Sequence, residues 1–561
     1  MIIQSLVNYY EALAKKGKIT KPGYSSTGVH YGLCISEQGE LLSIVTLVSE
    51  NEKGKKMPQR LEVPEQIVKS SGIKSSFLCE NSSYFLGIDN KGKPERTKDC
   101  FEAAKELHRH VLSHVDDKAA KAVCAYFDQW DITKASENEV LNPYLEDILK
   151  GCNLVFLLDD FQYVHAFPMI KKAWERYRQD PSEIEKKLCV ITGEKDVPAI
   201  IHGKIKGVKG AQPAGANLVS YNETAFESYG NNKSQGLNAP ISEYASFAYV
   251  TALNHLIEDK KHCNIIGDTT VVYWAENADE KLQDWLSSFG FEGGFHDSDH
   301  LLKSIMRKIS QGDLPDMEYA ELKTPFHILG IAPNAGRVSI RFYLYDSFGA
   351  FLMNISNHYN RLKITKPSYE KELLTPYFLL RETVLPKAKD KSASPLLSGS
   401  VMRAILSDSK YPESLYHSVL VRIRAEREIT SGKAAIIKAY LQKNYNIKEE
   451  TTMALNEEST NKAYILGRVF AVLEKVQLEA IANINTTIKD RFFTSACATP
   501  GTVFPSLLKQ ANYHLDKSKY GNKDIGELLN KLEGEALPDR LTLKEQGLFI
   551  LGYYHQAQKR Y

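Results

Sequence analysis

The segment from Gly203 to Gly236 constrains the fold of this chain more than any other stretch of the sequence. It is rich in Gly, Asn, Ser, Gln and Lys, and almost no apolar run in it is long enough to be buried as a strand or helix. A strand-like run, Val197 to Ile201, precedes it, and a helix-like run, Ser242 to Leu256, follows it. A loop of this length inside a compact domain is usually functional or disordered. The composition alone leaves a disordered surface crossover open as the alternative.

Lysines and side-chain amides are combined within this segment. Lys204, Lys206 and Lys209 alternate with small residues, so the backbone can approach a ligand closely. Neutral hydrogen-bonding amides lie in the same segment: Asn217, Asn222, Asn231, Asn232 and Gln235. This mixture suits a phosphate backbone and base edges better than a small apolar substrate.

The overall charge of the chain does not by itself indicate a nucleic-acid partner. The 561 residues carry a formal net charge of +2, so a DNA or RNA partner requires basic residues concentrated along one path. The eight cysteines form no CxxC pair, which argues against a zinc ribbon and fits reduced thiols in a cytoplasm. No stretch approaches the roughly 18 apolar residues of a membrane span. We therefore expect a cytoplasmic protein with no membrane partner.

Apolar periodicity predicts an α+β N-terminal region, with mixed sheets, helices and long loops, followed by an all-α C-terminal helical bundle. Residues 154–158 are predicted to form a buried strand, and residues 76–78 and 84–88 two short strands around a turn. Arg337 to Tyr345 alternates apolar and polar residues, which predicts a half-exposed strand with its arginines on one face.

Shifts in composition divide the chain into four parts. We predict an N-terminal α/β domain at residues 1–135 and a central α/β domain at residues 136–386, which carries the loop 203–236. Residues 387–400 are small and charged, which is typical of a linker. Residues 401–561 are predicted to form the helical bundle.

Signals for catalysis are weak throughout the chain. His108, His110 and His114 lie on one predicted helix without an HExxH pattern, which favours surface or hydrogen-bonded core histidines over metal ligands. Asp159 and Asp160 follow a strand, where catalytic carboxylates often lie, but a helix or turn cap explains them equally well. The sequence has no phosphate-loop, dinucleotide or nucleophile-elbow motif. We therefore expect no catalytic residues, no metal site and no cofactor.

Several stretches spread over the chain resemble one protein family. They include SLVNYYEALAKKGKI near the N-terminus, SSFLCENSSYFLGID, and the long central stretch ITGEKDVPAIIHGKIKGVKGAQPAGANLVSYNETAFESYGNNKSQGLNAPISEYASFAYVTALNHLI. FHILGIAPNAGRVSIRFYL, GSVMRAIL and SACATPGTVFPSLL follow. Together these stretches are similar to the large subunit of the type I-C CRISPR surveillance complex, Cascade, over essentially the whole length.

The resemblance implies a role in antiviral defence without chemistry of its own. In such ribonucleoprotein complexes the guide RNA reads sequence by base pairing, while the large subunit checks a short protospacer-adjacent motif (PAM) in double-stranded DNA. The large subunit also starts duplex opening, helps to stabilise the R-loop and offers a docking surface to a helicase-nuclease. The implied partners are the CRISPR guide RNA, double-stranded target DNA, the Cascade backbone and guide-processing subunits, the small subunits and the helicase-nuclease. In this family the C-terminal helical part is also implied as a separately translated small subunit.

Within this role we expect neutral side chains to read base edges and basic side chains to contact phosphates. The candidates in the N-terminal part are Lys74, Asn81, Ser82 and Ser83. The candidates in the central loop are Lys204, Lys206, Lys209, Gln212 and Asn217, with Asn231, Asn232 and Gln235 as a wedge at the first base pair. Further candidates are Arg337 and Arg341 on the exposed strand, and Arg422, Arg424, Arg427 and Lys433 along the displaced strand.

Simpler explanations stay open at this point. A hairpin turn explains Glu80 to Tyr84, and solvated surface charge explains the arginines of the strand and of the helices. Two other functions compete with the Cascade role. One is a metal-dependent nuclease using Asp159, Asp160, Asp268 or Glu276, and the other is a structural scaffold that never contacts DNA.

Overall fold

The computed structural model describes most of the chain. The described residues are 1–50, 56–67, 72–178, 185–221, 223–227, 235–259, 261–287, 319–370, 374–389, 393–481, 484–518, 521–532, 534 and 536–559. They divide into two compact units. The first comprises Ile3–Gly203 with Ser220–Ala252, and the second comprises Lys204–Val219 with Leu253–Tyr561.

The first unit combines short strands with helices. Its elements are α1 (Ile2–Lys15), β1 (Tyr24–Val29), β2 (Tyr31–Ile35), β3 (Leu41–Thr46), β4 (Val48–Glu50), β5 (Lys56–Pro64), β6 (Cys79–Glu80), α2 (Ser82–Phe85), α3 (Pro94–Leu112), α4 (Lys118–Gln129), α5 (Leu145–Ile148), β7 (Leu154–Leu158), α6 (Pro168–Arg178), β8 (Lys187–Leu188) and β9 (Lys195–Asp196). Helix α7 (Glu243–Glu258) begins in this unit and ends in the second. Short 3-10 helices lie at Ala135–Glu137, Asn142–Tyr144, Val164–Ala166, Thr224–Phe226 and Gln235–Asn238.

A four-stranded sheet with the order β3-β2-β7-β6 forms the centre of this unit. Strands β2 and β7 are parallel, and every residue of both is buried. A strand covered on both faces has a continuous apolar sequence rather than an alternating one, which is the pattern of the β7 sequence LVFLL. The predicted buried strand at residues 154–158 is therefore confirmed.

His108 on α3 is a hydrogen-bonded core histidine. Its Nδ1 lies 2.7 Å from the Ala104 carbonyl oxygen, and its Nε2 accepts a hydrogen bond of 3.0 Å from the backbone N–H of Leu78. Burial lowers the pKa of His108 to about 4, so the neutral ring keeps this arrangement at neutral pH. His110 and His114 are exposed. The preference for ordinary histidines over metal ligands is confirmed for His108.

The second unit contains a second sheet and then helices. Its elements are β10 (Cys263–Ile266), β11 (Thr269–Ala275), α8 (Glu280–Ser287), α9 (Tyr319–Lys323), β12 (Pro325–Asn334), β13 (Arg337–Ser347), α10 (Phe348–Leu362), α11 (Pro376–Arg381), α12 (Pro395–Leu406), α13 (Glu413–Glu426), α14 (Ser431–Asn444), α15 (Lys462–Ala480), α16 (Ile488–Ala498), α17 (Pro500–Ala511), a 3-10 helix at Leu515–Lys517, α18 (Gly521–Asn530) and α19 (Leu543–Ala557). The order of strands and helices confirms the predicted fold class. The domain boundaries at residues 135, 386 and 400 stay predictions.

The second sheet is antiparallel with the order β10-β11-β12-β13. Val271, Tyr273, Phe326 and Ile328 on one face belong to the same hydrophobic core as Phe351 of α10. Because side chains alternate along a strand, the opposite face carries Thr270, Val272 and Trp274 of β11.

Helices α15 and α19 approach each other closely at two glycines. A methyl group on Gly467 of α15 would collide with the carbonyl oxygen of Phe549, and one on Gly552 of α19 would collide with the carbonyl oxygen of Tyr464. Both glycines therefore let the two backbones lie nearer than any side chain allows. Phe470 and Phe549 pack edge to face with ring centroids 6.1 Å apart.

The structure corrects the two short strands that the sequence predicted around residues 80–83. The strand is Cys79–Glu80, and residues 82–85 form the short helix α2. The reason is local: Asn81 adopts an extended conformation, and its side chain accepts a hydrogen bond of 3.0 Å from Ser83 N–H. Asparagine at this position favours the start of a helix over a hairpin.

The structure also corrects the predicted linker at residues 387–400. Residues 395–400 form the first half of α12, which begins at Pro395. Proline is favoured in the first helical turn, where the missing N–H has no helical partner. Leu397 and Val401 are buried in the core of the second unit. Residues 390–392 of the predicted linker lie outside the described residues.

The predicted alternation in β13 fails at one point. Val338 and Phe342 are buried as expected, but Ile340 is 48% exposed. Gly330 pairs with Phe342 and Ile331 pairs with Ile340, so Arg341 is an extra residue at a β-bulge. A bulge shifts the alternation of side chains, which turns Ile340 outward together with Arg341.

Within the described residues, no helix is long and apolar enough to cross a membrane.

Gly467→Ala is expected to destabilise the helical region by about 1–3 kcal/mol, because the added methyl group overlaps the Phe549 carbonyl and forces the helices apart. Gly526→Ala is the matched control: Gly526 is exposed on α18 with open space at its Cβ position. Alanine there is expected to stabilise the helix by up to about 1 kcal/mol. Thermal unfolding followed by circular dichroism measures both changes, and equal midpoints for the two variants would contradict the close helix contact.

Candidate nucleic-acid interface

The lysine-bearing part of the long loop is an ordered structure between residues 204 and 217. Ile205 and Ala216 exchange two backbone hydrogen bonds of 2.8 and 2.9 Å. Gly215 has a φ of +92° and donates a hydrogen bond of 2.8 Å to the Gln212 carbonyl, so a turn that favours glycine precedes the pairing. The disordered alternative is therefore wrong for these residues.

Asn254 on α7 fixes the backbone on both sides of Ile205. Its Nδ2 donates to the Lys204 carbonyl oxygen at 3.1 Å, and its Oδ1 accepts from the Lys206 N–H at 2.8 Å. One amide side chain therefore satisfies a backbone acceptor and a backbone donor of the loop. The Lys206 side chain lies exposed at this fixed position.

Lys209 is tied to the turn between β10 and β11. Its N–H donates to the Thr270 hydroxyl at 3.4 Å, and its ammonium donates to the Gly267 carbonyl at 3.2 Å. A carbonyl partner does not neutralise the ammonium, so Lys209 keeps its positive charge at the surface.

Asn217 connects the loop to the turn between β12 and β13. Its N–H donates to the Gly336 carbonyl at 3.0 Å, and its carbonyl accepts from the Val338 N–H at 3.1 Å. These bonds place Asn217 beside Arg337 in a parallel bridge. Two candidate groups that are more than a hundred residues apart in the sequence are thereby brought together.

The joined surface is rich in basic side chains. It contains five basic side chains, Lys204, Lys206, Lys209, Arg337 and Arg341. Asp268 lies 3.2 Å from Arg341 and partly neutralises it. A cluster of basic side chains on an ordered backbone fits a phosphate strand. Gln212 is exposed on the same loop.

The candidate residues of the first unit surround α2. Asn81 is the N-cap residue, so its Oδ1 is engaged with Ser83 N–H while its amide nitrogen points away from that bond. Lys74 is exposed, and its backbone is hydrogen-bonded by the Tyr84 side chain. Ser82 is 3% exposed, so its hydroxyl is not presented at the surface as the sequence predicted.

The wedge candidates are only partly described. Asn231 and Asn232 lie outside the described residues. Gln235 begins a 3-10 helix with a φ of +44°, and its carbonyl accepts a hydrogen bond of 2.9 Å from the Asn238 side chain. Gln235 belongs to the first unit, whereas residues 204–217 belong to the second.

Two of the four basic candidates in the helical part are ion-paired within it. Arg422 lies 3.5 Å from Glu426, and Arg424 hydrogen-bonds with the Gln546 side chain. Lys433 is buried and ion-paired with Glu426. Arg427 is exposed and ends α13 in the left-handed conformation. Among these four residues, Arg424 and Arg427 are exposed, whereas Arg422 is half-buried and Lys433 is buried.

Two carboxylates of the nuclease alternative, Asp160 and Asp268, make structural contacts. Asp160 accepts a hydrogen bond of 3.1 Å from Gln162 N–H, which makes it a turn cap. Asp268 pairs with Arg341. The described parts of the chain contain no group of three His, Cys, Asp or Glu side chains placed to hold a metal ion.

Comparison with known families gives a match over nearly the whole chain. The model of one family of CRISPR-associated proteins, Cas_Csd1, matches residues 6–561. The chain belongs to the Cas_Csd1 family. No curated protein matches the chain. Membership of this CRISPR-associated family supports the resemblance to a Cascade large subunit, and the assignment to type I-C stays a prediction.

The sequence analysis did not identify the residues that hold the lysines of residues 204–209 in place. These residues are Asn254, Thr270 and Gly267. Asn254 carries the one available signal, because asparagine is a poor helix former and lies within the apolar run of α7. Thr270 and Gly267 act through single hydrogen bonds in a hairpin, and nothing in the local sequence distinguishes them.

Asn254→Ala is expected to loosen the loop, because Lys206 N–H and the Lys204 carbonyl both lose their partner. Two hydrogen bonds of about 0.5–1.5 kcal/mol each correspond to roughly 5- to 150-fold faster amide exchange at Lys206. Hydrogen-exchange mass spectrometry of peptides covering residues 203–217 measures the change. Asn360→Ala, at an exposed asparagine of α10, is the control and should leave this exchange unchanged.

Proposed function

We propose that this Cas_Csd1 protein is the large subunit of a type I-C Cascade and reads the PAM in double-stranded DNA. It then promotes duplex opening and R-loop stabilisation and helps to recruit the helicase-nuclease. We further propose that it performs no catalytic step itself. The observation that carries the proposal is the joined basic surface, in which residues 204–217 are bonded to the β12-β13 turn beside Arg337.

The chemistry of this surface suits a protein that must test many DNA sites of the wrong sequence before it finds its target. Contacts to phosphates hold DNA of any sequence, and they weaken as salt increases because counterions are released. Base-edge contacts add discrimination of about 1–3 kcal/mol each. The exposed lysines Lys206 and Lys209 provide the contacts to phosphates. The exposed amide of Gln212 on the same loop provides the second kind. Asn81 of the first unit is a separate candidate for base contacts.

The complex should be reconstituted with guide RNA, with and without this subunit. Binding to duplexes with a randomised flanking trinucleotide should depend on the flank only when the subunit is present. Binding that is the same in both preparations would favour the structural scaffold. Cleavage of DNA by the isolated protein with divalent metal would favour the nuclease.

Lys206→Ala is expected to weaken binding of all target sequences by a similar factor. Because one phosphate contact is lost, the slope of log K against log salt concentration should fall by about one. The matched control is Lys134→Ala, an exposed lysine of the first unit, which should leave both quantities unchanged. Equal slopes for the two variants would remove Lys206 from the interface.

Asn81→Ser is expected to abolish or relax the PAM preference while leaving α2 folded. Serine is also a good N-cap residue, so the helix start is kept, but the amide donor is removed. The measurement is the ranking of flanking trinucleotides by affinity. Asn81→Ala, which loses both cap and donor, shows how much of any effect comes from the helix. An unchanged ranking in Asn81→Ser would exclude Asn81 as a reader.

A further inference from the structure

Three aromatic rings are stacked across the second sheet. Trp274 of β11 is paired with His327 of β12, and His327 is paired with Tyr345 of β13. The Trp274 and His327 ring centroids are 5.0 Å apart at 16°, and those of His327 and Tyr345 are 4.8 Å apart at 26°. The rings therefore form one continuous, nearly parallel stack.

The stack is buried at one end and open at the other. Trp274 and His327 are 0% and 3% exposed, whereas Tyr345 is 60% exposed. His327 covers one face of the Tyr345 ring, so the accessible area lies on the opposite face and the ring edge. β13 is the last strand in the sheet order, which places Tyr345 at the sheet margin.

The ring beneath Tyr345 is held in a fixed orientation. His327 Nδ1 lies 2.9 Å from the Tyr343 hydroxyl. Burial lowers the pKa of His327 to about 4, so the ring is neutral at neutral pH. A tyrosine supported in this way offers a flat surface at little cost in conformational entropy.

The strand that carries Tyr345 also belongs to the basic surface. Arg337 and Arg341 precede Tyr345 on β13, and Arg341 is at most about 13 Å away along the strand. Arg341 is therefore the arginine of β13 that lies nearer to Tyr345 along the strand. Lys209 and Asn217 are bonded to turns of the same sheet.

We propose that Tyr345 is a stacking platform for one unpaired nucleobase. The base adds a fourth ring to the Trp274–His327–Tyr345 stack, while Arg337, Arg341 and Lys209 contact the phosphates of the same strand. Every base has a flat π face, so this contact tolerates any sequence. The inference rests on the proposed function, because it requires that the assembled complex hold nucleic acid at this sheet.

The test uses the complete complex with guide RNA and a matched target. Tyr345→Ala is expected to weaken target binding by about 5- to 150-fold, the range for loss of one base–aromatic stack. The salt slope should stay unchanged, because no phosphate contact is removed. Tyr345→Trp should keep the affinity, since it keeps an aromatic face. Tyr513→Ala, at a 77% exposed tyrosine of the helical region, is the control and should bind like the natural protein.

A second measurement locates the base. A series of targets carries 2-aminopurine at single positions across the flank and the displaced strand. At one position its fluorescence should be quenched with the natural protein and with Tyr345→Trp, and recovered with Tyr345→Ala.

The outcomes separate the inference from the proposed function. If Lys206→Ala weakens binding but Tyr345→Ala binds like Tyr513→Ala, the platform is wrong and the DNA-binding role stands. If removal of the whole subunit changes nothing, the proposed function is wrong, and the platform fails with it. A third outcome is that the complex purified with Tyr345→Ala lacks a protein subunit, while the fully assembled fraction binds DNA with unchanged affinity. Tyr345 is then a protein contact, and the platform is overturned.

Discussion

Backbone pairing at the margin of the second sheet is the constraint on which the candidate interface depends. Asn217 exchanges two hydrogen bonds with the β12-β13 turn, and Ile205 pairs with Ala216 within the loop. Backbone groups that leave water must find partners, so these bonds position the loop whatever its side chains do. The exposed side chains of Lys206 and Lys209 are thereby carried on a fixed backbone.

This division between backbone and side chain suits recognition of a phosphate strand. A preorganised loop loses little conformational entropy on binding, so a few charge contacts are sufficient. Asp268 limits the charge at Arg341, while the Lys209 ammonium donates to a carbonyl oxygen, which does not neutralise its charge. The surface is consequently basic in a chain whose net charge is only +2. Binding of nucleic acid requires basic residues that lie close together, and here folding, not composition, brings them together.

Elements with strong local signals were predicted well. The run LVFLL was predicted as a buried strand because five apolar residues in succession are typical of a strand covered on both faces. α7 and the helices after residue 395 follow the apolar periodicity of a helix. The predictions failed where one residue or one distant contact decided the outcome. Asn81 starts a helix where strands were expected, Pro395 and Leu397 turn part of the linker into α12, and the bulge at Arg341 exposes Ile340.

The sequence by itself determined the family, the order of the α+β and helical regions, and the lysine-rich loop as the most unusual segment. Tertiary structure decided which candidates lie together. Arg337 joins the loop of residues 204–217, whereas Arg422 and Lys433 are ion-paired within the bundle and Ser82 is buried. It also decided that Asn254 holds the lysines and that Tyr345 lies open over a buried stack. The physical reason is that residues distant along the chain create these environments, and local pattern and composition contain no information about which distant residues will meet.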